Sequence, residues 1–165
     1  FDAFATAVST FVAQNFGARQ TDRIRKGIYK GTIVSVLYGA IFGLFAMILW
    51  GRDLCLLFLD AANTVELDLA ALYLRRMGYC LWVLGILNVC RMSIQGLGNA
   101  RKAMMSGVLE MIARTVVSVL FVGSFGYDAI TWADQAAWFA ATFFVVPMVI
   151  YSIRNVEQHF KGALS

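Results

Sequence analysis

Apolar positions in this chain neither alternate nor keep to a narrow helical stripe. They gather in four long blocks: Ile28 to Trp50, Met77 to Gly98, Ala103 to Phe125 and Trp132 to Ile153. Arg91 interrupts the second block, and Glu110 and Arg114 the third. At a rise of 1.5 Å per residue each block makes a helix of roughly 33–35 Å. That length suits a hydrocarbon core of about 30 Å crossed with modest tilt. A helix satisfies its backbone within itself, which an open sheet in lipid cannot do. The pattern predicts an all-α polytopic membrane bundle with full transmembrane helices at 28–50, 77–98, 103–125 and 132–153. A further apolar stretch, residues 1–16, has no basic leader and no small-residue cleavage site. It reads as the end of a fifth helix that began upstream, so residues 1–165 are expected to be a piece of a larger protein.

Composition agrees with the pattern. The chain is 60% hydrophobic and 15% charged, against about 45–50% and about 25% in soluble domains. Mean hydropathy is +0.70. A water-soluble fold of this size would leave too much of that surface exposed. Cys55, Cys80 and Cys90 form no close-spaced pair. They read as small buried hydrophobes, with neither a disulfide framework nor a metal site.

The charges between blocks give an orientation. Arg19, Arg23, Arg25, Lys26 and Lys30 precede the first full span, and Arg101 and Lys102 fill the short connection between the second and third. Arg154 and Lys161 follow the last span. The intervening connections carry Asp53, Asp60, Glu66 and Asp68, then Asp128 and Asp134. This alternation follows the positive-inside rule and predicts a multi-pass cell (inner or plasma) membrane protein with a cytoplasmic C-terminus. Arg75 and Arg76 break it, and their long stems are expected to snorkel to the headgroups. The segment Asp53 to Asp60 is too short to span and reads as an interfacial helix. Trp50, Tyr127 and Trp132 read as boundary anchors. Gly39 and Gly43 could admit a close neighbouring helix, and Pro147 removes a backbone donor inside the last span.

Arg91, Glu110 and Arg114 are the informative polar residues, because an ionisable side chain inside a span is costly unless paired or wet. Counted from the turn near Ala100, Arg91 and Glu110 both lie about 14 Å along their helices. They should therefore meet at one depth, with Arg114 one turn further along the face of Glu110. A carboxylate between two guanidiniums can be a clamp fixing helix register, or a contact for a coupling ion or substrate. The clamp is favoured, since a carboxylate facing two fixed cations is a poor proton carrier. Asn88, Arg91 and Gln95 share a face, which could pack on other helices or line a cavity. Gly96 and Gly98 would permit close packing or a sharp turn before the connection. His159 is the single histidine, and no nucleophile elbow or phosphate-binding glycine loop is present, so no enzyme, metal site or cofactor is expected. The basic stretch Arg19 to Lys30 is flanked by membrane segments and fits lipid headgroups better than nucleic acid.

Two stretches carry a resemblance. One is Val12-Ala13-Gln14-Asn15-Phe16-Gly17-Ala18, followed by Asp22, Arg23 and Ile24. The other is Arg91-Met92-Ser93-Ile94-Gln95-Gly96-Leu97-Gly98-Asn99, followed by a span carrying Glu110 and Arg114. Together they resemble the multidrug and toxic compound extrusion (MATE) transporters across nearly the whole chain. The resemblance implies twelve helices in two six-helix lobes, of which residues 1–165 would be the C-terminal lobe from the end of helix 8 through helix 12. It implies an antiporter that exports drugs or toxic, often cationic, organic compounds in exchange for H⁺ or Na⁺. The partners implied are membrane lipid, those small substrates and the N-terminal lobe. Gln14 and Gly17 match one motif, Gln95, Gly96 and Gly98 the other, and Glu110 a helix 11 glutamate. Some Na⁺-coupled members carry an acid within helix 10, and Met77 to Gly98 has none, which favours proton coupling through the other lobe. Alternatives are a lipid-linked oligosaccharide flippase of the same superfamily and a non-transporting membrane scaffold subunit.

Overall fold

The computed structural model describes residues 1–59 and 64–162, with side chains through residue 160. The described residues contain no strand. The elements are α1 (Asp2–Gly17), α2 (Thr21–Phe42), a π-helical continuation of α2 (Gly43–Leu49), α3 (Gly51–Cys55), α4 (Thr64–Gly96), α5 (Ala100–Phe125) and α6 (Tyr127–Gly162). Four helical stretches are long and apolar enough to cross a membrane: Thr21–Leu49, Thr64–Gly96, Ala100–Phe125 and Tyr127–Phe160. The fold is thus the all-α bundle that the apolar blocks predict.

The helices run beyond those blocks, and this corrects the loop reading. Glu66, Asp68, Arg75 and Arg76 lie in α4, and Asp128 and Arg154 lie in α6; Asp134, inside the last block, is also in α6 and not in a connection. Hydropathy marks where lipid begins, whereas a helix continues while its backbone bonds can be made, so charged turns extend past the apolar part. Of the expected interfacial segment, Asp53 to Cys55 belong to the short helix Gly51–Cys55 and Leu56 to Phe58 form a turn; Asp60 lies outside the described residues.

Helix α4 is the axis of the bundle. It packs against α1, α2, the π segment and α6, and buries Leu81, Val83, Leu87, Val89 and Ile94. More than half of its spanning window is buried, against none of that of α5. Helix α5 lies mainly on α6 and buries only Ala103 and Ser106.

Small residues set the α2–α4 approach. A Cβ on Gly39 would stand 2.8 Å from the Leu81 carbonyl oxygen, and one on Gly85 would stand 2.8 Å from that of Ser35. At Gly43 the obstacle would be the carbonyl oxygen of Gly78. In lipid, where side-chain transfer from water no longer drives association, such close backbone packing is a main attraction between helices.

At the other end of α4 the chain reverses through Gly98 (φ +81°), where the Asn99 amide donates to the Ile94 carbonyl at 3.1 Å. Only a residue without Cβ takes that conformation freely. After α1 the left-handed step falls on Arg19 (φ 55°), while Gly17 is the last residue of the helix.

A charged ladder between α4, α5 and α6

The Gly98 turn makes α4 and α5 antiparallel neighbours, and their facing side chains are polar. Arg91 Nη2 meets Glu110 Oε2 at 2.6 Å, and its Nε donates to Ser106 Oγ at 2.8 Å. Arg114 Nη2 reaches Glu110 Oε1 at 3.1 Å. The carboxylate therefore sits between two guanidiniums, with 15% of its side chain exposed.

Beyond that triad lie residues that sequence reasoning missed. Arg114 Nε meets Asp134 Oδ1 on α6 at 2.7 Å, and the Tyr73 hydroxyl of α4 donates to Asp134 Oδ2 at 2.5 Å. Both oxygens of each carboxylate thus carry a donor. Further towards the Gly126 end, Arg76 pairs with Asp128 at 2.6 Å, donates to Thr131 and lies 5.5 Å over the Trp132 ring. Arg76 does not snorkel: with Asp128 and Thr131 on the facing turn of α6, its charge is met within the protein. Arg75 is exposed.

One signal could have exposed Asp134. A lone Glu110 between two arginines leaves one positive charge uncompensated inside the span, which points to a further acid nearby, although charge counting does not say whether it is Asp128 or Asp134.

The remaining sequence candidates are spread along the α1–α4 side. Asn88 Nδ2 donates to Asp2 Oδ1 on α1 at 3.4 Å. Gln14 and Gln95 are exposed. Gly96 packs close to α1: a Cβ there would stand 2.6 Å from the Ser9 carbonyl oxygen. Asn99 is half-buried at the head of α5. Helices α1 and α5 make no contact with each other. The face of α4 carrying Asn88, Arg91 and Gln95 therefore lies along the gap between them.

A family model described as MatE matches residues 3–120. The chain belongs to the MatE family. Its members are membrane transporters, and with four membrane-length helices this MatE chain is a multi-pass membrane protein. The matched region holds Arg91, Glu110 and Arg114 and ends before Asp134. No curated protein and no solved structure matches this MatE chain.

Proposed function

We propose that this chain forms most of one lobe of a cation-coupled antiporter that exports drugs and other toxic organic compounds across the plasma membrane. In this reading the Arg19, Arg101 and C-terminal end faces the cytoplasm, and the acidic Gly126 end faces outward. The remaining lobe of the same protein completes the path. Membrane lipid and small organic cations are its partners, and H⁺ or Na⁺ is the coupling ion.

The observation that carries this reading is charge balance. Arg91 and Arg114 are matched by Glu110 and Asp134, and Arg76 by Asp128. A flippase for a lipid-linked pyrophosphate needs surplus positive charge facing its cavity, whereas this ladder offers none. A neutral ladder is compatible with a cationic guest nearby. Because both acids already hold two donors each, coupling-ion binding is assigned to acids of the other lobe.

The test uses the complete protein in proteoliposomes with an imposed proton or sodium gradient and a cationic dye such as ethidium. Dye movement against its own gradient, abolished when the driving ion gradient is collapsed, is expected. Absence of dye movement under both gradients, with translocation of a lipid-linked oligosaccharide analogue instead, would overturn the proposal.

A further inference from the structure

Two hollows meet at Lys102. The first, about 380 Å³, lies where α1 ends, α4 turns into α5 and α6 runs out. Its polar lining is Asn99, Lys102, Ser152, Asn155 and His159, with Phe16 and Phe160 among its apolar walls. Among the described residues no carboxylate lines it. Glu157, close by in α6, is turned to Arg25 of α2 at 3.2 Å. Ser152 is 1% exposed, yet its Oγ meets no hydrogen-bond partner among the described residues. A buried hydroxyl left so is costly and calls for a partner. Together the set offers an ammonium, an imidazole, two amides and an unengaged hydroxyl, which is the chemistry of an anion site.

The second hollow, about 450 Å³, is an apolar groove along α6. Phe143, Phe144, Pro147, Met148 and Tyr151 line it, and Lys102 stands at its head. The Lys102 ammonium lies 5.0 Å over the Tyr151 ring, at the junction of the two. From Tyr151 to Phe143 the groove descends about 12 Å towards the middle of the span. Phe143 and Pro147 also line a third apolar hollow of about 360 Å³ that reaches Trp82 and Phe139. The two apolar hollows therefore share a wall at Phe143 and Pro147.

We propose that this is a binding site for an anionic phospholipid. The phosphate sits at Lys102, with Ser152 donating its hydroxyl and the Asn155 and His159 side chains at the rim. One acyl chain lies along α6 over Tyr151, Met148 and Phe143. Basic pockets between transmembrane helices take acidic headgroups because the ammonium, unlike a neutral donor, favours net negative lipid. The joined head pocket and apolar groove select an amphiphile over a free anion. The site is separate from the Arg91 ladder and independent of what the protein exports.

The full-length protein, purified in mild detergent, is titrated with dioleoyl phosphatidylglycerol, with dioleoyl phosphatidylcholine and with inorganic phosphate. Retained lipid is read by native mass spectrometry and Tm by thermal unfolding. Phosphatidylglycerol is expected to be retained and to raise Tm, and phosphatidylcholine to do neither. Lys102→Gln should weaken phosphatidylglycerol retention by about five-fold, from the usual worth of one basic residue at an anionic surface. Asn155→Asp, at an exposed rim position that leaves the fold alone, should weaken it in the same direction. Arg23→Gln, exposed on α2, should not. Equal retention of the two lipids, retention unchanged in both pocket variants, or an equal loss in Arg23→Gln would overturn the site. Full stabilisation by inorganic phosphate alone would make the ligand a free anion and remove the lipid from the proposal.

Discussion

Arg114 reaches from α5 to the Asp134 carboxylate of α6 with its Nε at 2.7 Å while its Nη2 holds Glu110 at 3.1 Å. One side chain therefore ties a helix hairpin together and joins it, through Arg91 and Tyr73, to the central helix α4. Helix α5 buries little else, so its position relative to α4 depends on polar contacts.

Glu110→Gln removes the carboxylate that faces Arg91 and Arg114. Breaking one partner of a buried pair costs about 3–5 kcal/mol, and here the lower end applies because Arg114 is partly exposed. The variant of the full-length protein should show reduced folded yield by fluorescence-detected size exclusion, with the pH profile of transport little moved. Normal yield with a profile displaced by a unit or more would reject the clamp.

Asp134→Asn and Arg114→Gln should be strongly non-additive, since each leaves the other without its partner. A double-mutant cycle on thermal stability should return a coupling of about 1–3 kcal/mol. Tyr73→Phe should cost about 1 kcal/mol, the worth of one hydrogen bond or somewhat more to a charged acceptor. A coupling near zero would mean that the Arg114–Asp134 contact contributes nothing.

Glycines divide by surroundings. Gly39→Ala and Gly78→Ala place a methyl against facing backbone and should destabilise by about 1–3 kcal/mol, as overpacking does. Gly107→Ala and Gly123→Ala in α5 meet nothing within 4 Å and should be neutral or stabilising by up to about 1 kcal/mol through helix propensity. Thermal unfolding of all four in one lipid tests the contrast, which fails if both pairs shift alike.

Orientation is open to thiol labelling with a membrane-impermeant maleimide. Arg101→Cys should react only when the cytoplasmic face is accessible, and Asp128→Cys from outside. The native thiols give little background: all three are buried, and desolvation pushes the Cys55 thiol up, which lowers its thiolate fraction near neutral pH. The opposite accessibility would reverse the topology.

The helical class was legible because long apolar blocks, interrupted by only a few charges, match the length of a spanning helix and lack the alternation of a barrel strand. The level of Arg91 and Glu110 was legible too, because equal counting from one tight turn needs only the helical rise. Asp134 was not. It stands near the start of the last apolar block and reads as one more boundary charge beside Asp128, while Gly126 lies twelve residues after Arg114 but eight before Asp134. Only the reach of the arginine side chain closes that mismatch. Tyr73 was hidden for a related reason, since it lies in the turns of α4 that precede the apolar block. The Lys102 hollow joins the ends of α1, α4 and α6, and no local spacing announces a meeting of segments so far apart in sequence.

The contact of Gly43 with Gly78 has a mechanical consequence. Where two main chains touch with no side chain between them, there is nothing to re-pack by switching rotamers. Sliding one rod past the other would drive carbonyl against carbonyl. During any rocking of the transporter, α2 and α4 should therefore travel as one rigid spar, and the flexing joints should be sought elsewhere.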